Sequence, residues 1–213
     1  MKIEKLTFNN FMENTFIVYD QTKECIIIDP GCYSEEEKDK LLSFIKSNKL
    51  KPTLLINTHC HIDHIFGNNF VNKIWDIELA INKLDLEILN GAHLVAQSYG
   101  FNNYEPSPLP SKYIKEGDFI TFGQSKLKII FTPGHAPGHI SLYSQKDNFI
   151  ISGDVLFMNS IGRTDLPGGD YEILIKTIKT KLLTLPEKTK VYCGHGPDTT
   201  IDNEKKNNPF LKN

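Results

Sequence analysis

The sequence predicts an α+β fold in which helices lie outside two packed sheets. Three features point there. Short stretches alternate apolar and polar residues as half-buried strands do, apolar runs stop at turns rich in Gly, His and Asp, and helical apolar periodicity follows those turns in both halves of the chain. At 213 residues the chain can bury one sizeable core, so a single domain over residues 1–213 is the expectation.

Lys2 to Phe8, Asn14 to Tyr19 and Glu24 to Ile28 read as a meander of three short strands that ends at Asp29-Pro30-Gly31. Ser34 with Glu37 three residues on is a capping box, and Leu41, Leu42, Phe44 and Ile45 give the helix it starts an apolar face to about Asn48. Pro52 to Asn57 has the pattern of a buried strand and leads into Thr58-His59-Cys60-His61-Ile62-Asp63-His64. Helical and strand-like segments then alternate from Asn68 to Tyr99, with a helix from about Leu84. Pro106, Pro108 and Pro110 make Asn102 to Ser111 a loop and the best place for a mid-chain seam. Strands resume at Lys126 to Phe131, Ile140 to Tyr143 and Asn148 to Ile151. An amphipathic helix over Tyr171 to Leu183 precedes a last strand, Lys190 to Cys193.

Composition narrows the function classes. The 24 Lys and Arg against 26 Asp and Glu leave a net charge of −2 with the lysines dispersed, so no basic footprint marks a nucleic-acid partner. Apolar runs such as Cys25-Ile26-Ile27-Ile28 fall short of the ~18 to 20 residues that span a bilayer, and no membrane partner is expected. The start, Met1-Lys2-Ile3-Glu4-Lys5, lacks a secretory pattern, which points to the cytoplasm. Cys25, Cys32, Cys60 and Cys193 are too sparse for a disulfide scaffold and form no C-x-x-C pair, so reduced thiols are expected.

Histidine placement is the strongest signal. His59, His61, His64, His135 and His195 follow predicted strands or sit in glycine-rich turns just beyond them. Residues two apart in an extended segment point the same way, so His59 and His61 face one place, Asp63 shares their parity until the chain turns, and His64 diverges to a neighbouring position. Cys60, on the opposite parity, faces away and is buried. His135 after Gly134, Asp154 after Gly153 and His195 after Gly194 share a form in which glycine lets a strand end turn tightly into a crowded site. Five imidazoles with the carboxylates of Asp63 and Asp154 suit Zn(II), Fe or Mn, and Asp154 is the choice for bridging two cations. Three imidazoles and a carboxylate within six residues would repel or compete without a cation to organise them. His93 reads as an ordinary helix residue. Pro137-Gly138 breaks any helix that would align His139 with His135, so His139 is assigned to orienting or packing.

These motifs, collinear over nearly the whole chain, resemble the metallo-β-lactamase superfamily, and within it the small single-domain glyoxalase II-like hydrolases. The resemblance is carried by Asp29-Pro30-Gly31, Thr58 to His64, Thr132 to His135, Gly153-Asp154 and Gly194-His195-Gly196-Pro197, with Gly162 to Asp170 and Asn208-Pro209-Phe210 in support. It implies a four-layer αββα sandwich with two divalent metal ions at one edge, Zn(II) first and Fe or Mn as alternatives. It further implies His59, His61 and His135 on one ion, Asp63, His64 and His195 on the other, and Asp154 bridging. The sequence departs from many relatives at Ile65-Phe66-Gly67, where they have paired glycines. It also ends near residue 213, so the expectation is that it lacks the C-terminal helical domain that supplies much of the glutathione pocket in full-length glyoxalase II.

A small-molecule thioester such as hydroxyacylglutathione is the substrate this points to. Two cations about 3.5 to 4 Å apart would turn a bridging water into hydroxide near neutral pH, with Asp63 and Asp154 as the catalytic carboxylates. A thiolate, with a pKa near about 8 to 9, leaves without a strong general acid. Arg163 and Asp165 are the expected substrate-binding residues, because Arg offers a planar fork to a carboxylate; the alternative is that they pair with each other. Asp29, at a strand end, either orients a ligand imidazole or simply makes the turn before Pro30. The runner-up function is a persulfide dioxygenase, whose resemblance would imply a single Fe(II) on His61, His135 and Asp154.

Overall fold

Alternation along the opening residues builds the antiparallel meander β1 (Lys2–Phe8), β2 (Glu13–Tyr19) and β3 (Glu24–Ile28). The unbroken apolar run of β3 marks a strand buried on both faces, and residues 25–28 are fully buried. β4 (Lys51–Ile56), β5 (Leu79–Ile81) and β6 (Lys112–Tyr113) extend this sheet through parallel pairings in the order β1-β2-β3-β4-β5-β6. In this computed structural model, which describes residues 1–212, the chain forms two compact units. One is Met1–Ile114 with Thr121–Lys126; the other is Lys115–Ile120 with the chain from Leu127 onward.

Helices cover one face of the first sheet. α1 (Glu35–Ser47) starts with the predicted capping box: Ser34 Oγ accepts from the Glu37 N–H at 3.2 Å, and the Glu37 carboxylate accepts from the Ser34 N–H at 3.0 Å. Its Leu41 and Ile45, one turn apart, join a core cluster with Phe8, Ile17, Ile27 and Leu55. α2 (Ile62–Ile65) is a single turn. α3 (Asn68–Trp75) and α4 (Leu86–Ser98) add Val71, Leu89, Ala92 and Ala96 to the same cluster.

The second sheet has the order β14-β13-β10-β9-β8-β7, from β7 (Phe119–Phe122), β8 (Ser125–Phe131), β9 (Ile140–Ser144), β10 (Phe149–Gly153), β13 (Lys190–Cys193) and β14 (Thr199–Thr200). Between its β10 and β13, the short strands β11 (Leu156–Phe157) and β12 (Ser160–Ile161) pair as a ribbon. The helix predicted over Tyr171 to Leu183 is regular only as α5 (Tyr171–Thr177) and continues as a wider, π-type turn over Ile178–Leu182, where the Leu183 N–H reaches the Ile178 carbonyl at 2.9 Å. The buried residues explain the widening. Leu174, Ile178 and Leu182 are each fully buried at a spacing of four, and a turn wider than 3.6 residues keeps all three on one face. α6 (Ile201–Asn207) closes the described chain. Among the described residues, no helix is long and apolar enough to cross a membrane.

A polar clasp fixes residues 121–126 within the first unit. The Asp20 carboxylate accepts from the Thr22 N–H and hydroxyl, the Gln124 N–H and the Ser125 hydroxyl at 2.6–2.9 Å. Burial works to raise its pKa, but these hydrogen bonds win and bring it from 3.8 down to about 2. A carboxyl depressed in the folded state contributes stability that is complete above its unfolded value and is lost as the pH falls through the folded one. Asp20→Asn therefore removes this group's share of the acid sensitivity in the window from about pH 4 to about pH 2, which urea unfolding at stepped pH reads directly.

Candidate metal centre

Parallel register delivers the first set of side chains. Ile28 on β3 pairs with Ile56 on β4, so Asp29 and the segment Asn57-Thr58-His59 leave the sheet side by side. Asp29 takes up left-handed backbone, φ +49°, and its carboxylate accepts from the Thr58 N–H at 2.7 Å, the Thr58 hydroxyl at 2.6 Å and His64 Nδ1 at 3.1 Å. Having given its hydrogen to Asp29, the Thr58 oxygen accepts from His59 Nδ1 at 3.1 Å. Both imidazoles therefore carry their hydrogen on Nδ1 and present Nε2, an assignment fixed by the acceptors around them. The rings are crowded: His59 lies 4.7 Å from His61 and 4.1 Å from His64 between centroids. Asp63 Oδ2 stands 3.6 Å from His64 Nε2.

Although Asp29, His59 and His64 also bring donor atoms within 4.8 Å of one another, the Asp29 oxygens are already engaged by Thr58 and His64. Asp29 thus orients the imidazoles, the first of the two roles expected of it. Behind it lies Glu13, fully buried, whose Oε2 accepts from the Thr15 hydroxyl at 3.0 Å and whose Oε1 is 3.8 Å from His64 Nδ1. Burial pushes this carboxyl well up, with Asp29 and Asp63 adding to the rise against His64. The Asn57 side chain donates to the His64 carbonyl at 3.0 Å, and Asn68 bonds both Asn57 and Ser107. Ser107 lies on the wall of a cavity of about 220 Å³ that Leu89, His93, Tyr104 and Pro108 also line. Cys60 is fully buried, as its parity predicts, and burial with the Asp85 carboxylate pushes its thiol up.

Parallel register also delivers the second set. Gly153 on β10 pairs with Cys193 on β13, and Asp154 and His195 follow these two strand ends. Asp154 Oδ2 is 3.4 Å from His195 Nε2 and 3.7 Å from His135 Nε2. Gly134 at φ +128° and Gly153 at φ +51° need the freedom that glycine gives, whereas Gly194 is not among the positive-φ glycines. His135 Nδ1 donates to the Arg163 carbonyl at 2.7 Å, so this ring too presents Nε2. His139 has the opposite arrangement. Its Nε2 accepts from the Asp154 N–H at 3.1 Å and its Nδ1 donates to the Thr132 hydroxyl at 2.9 Å, so it orients Asp154 from behind. Arg163 grips Asp165 through Nε at 2.7 Å and a second nitrogen at 2.8 Å, which holds the exposed Asp165 carboxyl at about 2.

The structure brings His59, His61, Asp63 and His64 together in the first unit, and His135, Asp154 and His195 together in the second. The donor chemistry fits a metal. Separations of 3.4–3.7 Å exceed hydrogen-bond length but approach the ~3.3 Å edge between two ligands at about 2.0–2.1 Å on one tetrahedral cation. Sequence reasoning missed Glu13 and the Asn57–Asn68 pair. Neither carries a local signal, since each is defined by what the folded chain places around it.

A family model described as the metallo-beta-lactamase superfamily matches residues 9–195. The probable metallo-hydrolase YqgX of Bacillus subtilis is 38% identical over 212 residues, covering 99% of this chain and 98% of that protein. Hydroxyacylglutathione hydrolase GloC of Haemophilus influenzae is 36% identical, with 99% and 98% covered. The solved structure of TTHA1623 in a di-iron-bound form superposes with a TM-score of 0.88 at 36% identity, over 98% of this chain and all of the other.

His139→Ala strands the buried Asp154 N–H at a cost of about 1–3 kcal/mol, measurable by urea unfolding. In the unsubstituted protein, long-range proton–nitrogen spectra will show His139 protonated on Nδ1 and unprotonated on Nε2.

Proposed function

Because the chain belongs to the metallo-β-lactamase superfamily, we propose that it is a metal-dependent hydrolase of small thioesters, with hydroxyacylglutathione the first substrate to try. The observation that carries this reading is the shared tautomer of His59, His64 and His135: in each, an acceptor takes the Nδ1 hydrogen and leaves Nε2 as the donor atom. His59, His61, Asp63 and His64 in the first unit and His135, Asp154 and His195 in the second would supply the ligands for the divalent ions. Bound there, the ions would supply Lewis acidity toward the acyl carbonyl and a nucleophile at neutral pH. GloC, similar over its whole length, supports the thioester class. Zn(II) is the first expectation for the metal, and TTHA1623 gives Fe comparable support.

The chain's own residues do the positioning. Thr58, Asp29 and the Arg163 carbonyl fix the imidazoles, and His139 fixes the Asp154 main chain. The Arg163 guanidinium, more than half exposed, would bind a substrate carboxylate in exchange for Asp165. Burial of Cys60 and Cys193 keeps both thiols out of the reaction.

Elemental analysis of protein purified without chelators and away from air, followed by thioester hydrolysis assays, tests the reading. Two metals per chain and turnover of lactoylglutathione are expected. One iron per chain, with oxygen uptake on a persulfide and no hydrolysis, would overturn it. Asp154→Ala is expected to abolish turnover and lower bound metal in a folded protein. Arg163→Ala, which keeps the carbonyl that holds His135, is expected to raise KM roughly tenfold or more for a carboxylate-bearing substrate while metal content stays unchanged.

A further inference from the structure

The ribbon of β11 and β12 lies between two parts of the second unit's ligand cluster. Asp154 precedes it by two residues, and Arg163, whose carbonyl takes the His135 hydrogen, follows it by two. The Gly162 N–H closes the loop on the Val155 carbonyl at 3.2 Å. Whatever fixes this ribbon therefore fixes the Asp154 main chain on one side and the His135 ring on the other. At its turn Asn159 adopts left-handed backbone at φ +57°, which asparagine tolerates, and its N–H needs an acceptor from outside the ribbon.

Glu204 on α6 meets that need. It is fully buried, and each of its oxygens receives two hydrogens from neutral donors. Oε1 accepts from the Thr199 hydroxyl at 2.5 Å and Asn203 Nδ2 at 2.7 Å; Oε2 accepts from Asn208 Nδ2 at 2.8 Å and the Asn159 N–H at 2.9 Å. Asn208 Nδ2 also donates to the Ser160 carbonyl at 2.9 Å. A buried carboxylate is costly unless its lone pairs are met, and here they are met by donors that converge from the ribbon turn, from β14 and from α6. β14 begins four residues after His195, so the same carboxylate also ties down the strand that leaves that histidine.

We propose that Glu204 is a positioning residue for the metal centre: its buried carboxylate pins the Asn159-Ser160 turn and, through the ribbon, sets Asp154 and the Arg163 carbonyl that orients His135. This rests on the reading of Asp154, His135 and His195 as metal ligands. Glutamine is the conservative partner for the test. Its oxygen can accept from the Asn159 N–H and Asn208, the bonds that hold the ribbon, while its amide can donate to the Thr199 oxygen and gives up only the bond from Asn203 Nδ2.

Amide exchange at Asn159 and Gly162 in metal-free protein and metal affinity by chelator competition are measured for the unsubstituted chain, Glu204→Ala and Glu204→Gln. In Glu204→Ala, exchange at both amides should be at least tenfold faster and affinity roughly 10- to 100-fold lower, and Glu204→Gln should recover most of both. Lower thermal stability with unchanged exchange and affinity overturns the proposal, as does a glutamine variant no better than the alanine one. Should Glu204→Ala not fold, Asn208→Ala, which removes the tie to Ser160, carries the same measurements. If the unsubstituted chain binds no metal, the metal reading fails, and amide exchange still decides whether Glu204 holds the ribbon.

Discussion

The His59 ring packs 4.7 Å from that of His61 and 4.1 Å from that of His64, and the hydrogens on His59 and His64 are each committed to an acceptor. That constraint organises the rest of the structure. Asp29 serves His64 directly and His59 through Thr58, and it can do so only from the end of β3, alongside the strand end that releases Thr58. The left-handed backbone at Asp29 is strained for a residue with a side chain, and three hydrogen bonds to one carboxylate hold it in place. The sheet supplies the anchor: the Asp29 N–H still bonds the Ile56 carbonyl at 2.9 Å. The turn therefore begins while the residue is tied to the neighbouring strand.

The second unit solves the same problem with different groups. A main-chain carbonyl, that of Arg163, takes the His135 hydrogen, and a histidine that presents no ligand atom, His139, takes the Asp154 N–H. One residue type thus plays two parts, separated by which nitrogen is occupied. His139 spends Nε2 on a main-chain donor, whereas His59, His64 and His135 spend Nδ1 and keep Nε2 for the site. This distinction is stronger than the helix-breaking argument from Pro137-Gly138, because it rests on chemistry at the ring itself.

Much of this was legible in the sequence, wherever the determining interaction is local. The capping box at Ser34 and Glu37, the strand parity that buries Cys60, and the crowding of His59, His61 and His64 all depend on residues a few positions apart. Local reasoning stops where partners are distant. Glu13 looks like any polar residue opening a strand, yet it is buried beside His64, 51 residues on. Glu204 is one of several charged residues between Asp202 and Lys206, and only folding brings Asn159 to it. The helix expected over Tyr171 to Leu183 is present and departs only in its turn type after Thr177: a spacing of four in the apolar residues fits both an α-helix with drift and a wider turn, and packing chose the latter there. The parallel registers that place Asp29 beside Thr58, and Asp154 beside His195, are likewise absent from any local pattern.

The choice of a carbonyl for His135 has a consequence for how such a site can change. A side-chain acceptor ties a ligand's orientation to residue identity, so substitution at Asp29 alters His64 and Thr58 together. A carbonyl is indifferent to the side chain it belongs to. At position 163 the main chain orients His135 while the guanidinium reaches outward to Asp165, and the two functions share a residue without sharing a group. The side chain there can change without removing the acceptor that orients the imidazole. What position 163 requires is that its carbonyl stay where the ribbon puts it, and this makes the ribbon's fastening, more than the identity of residue 163, the physical requirement of that half of the site.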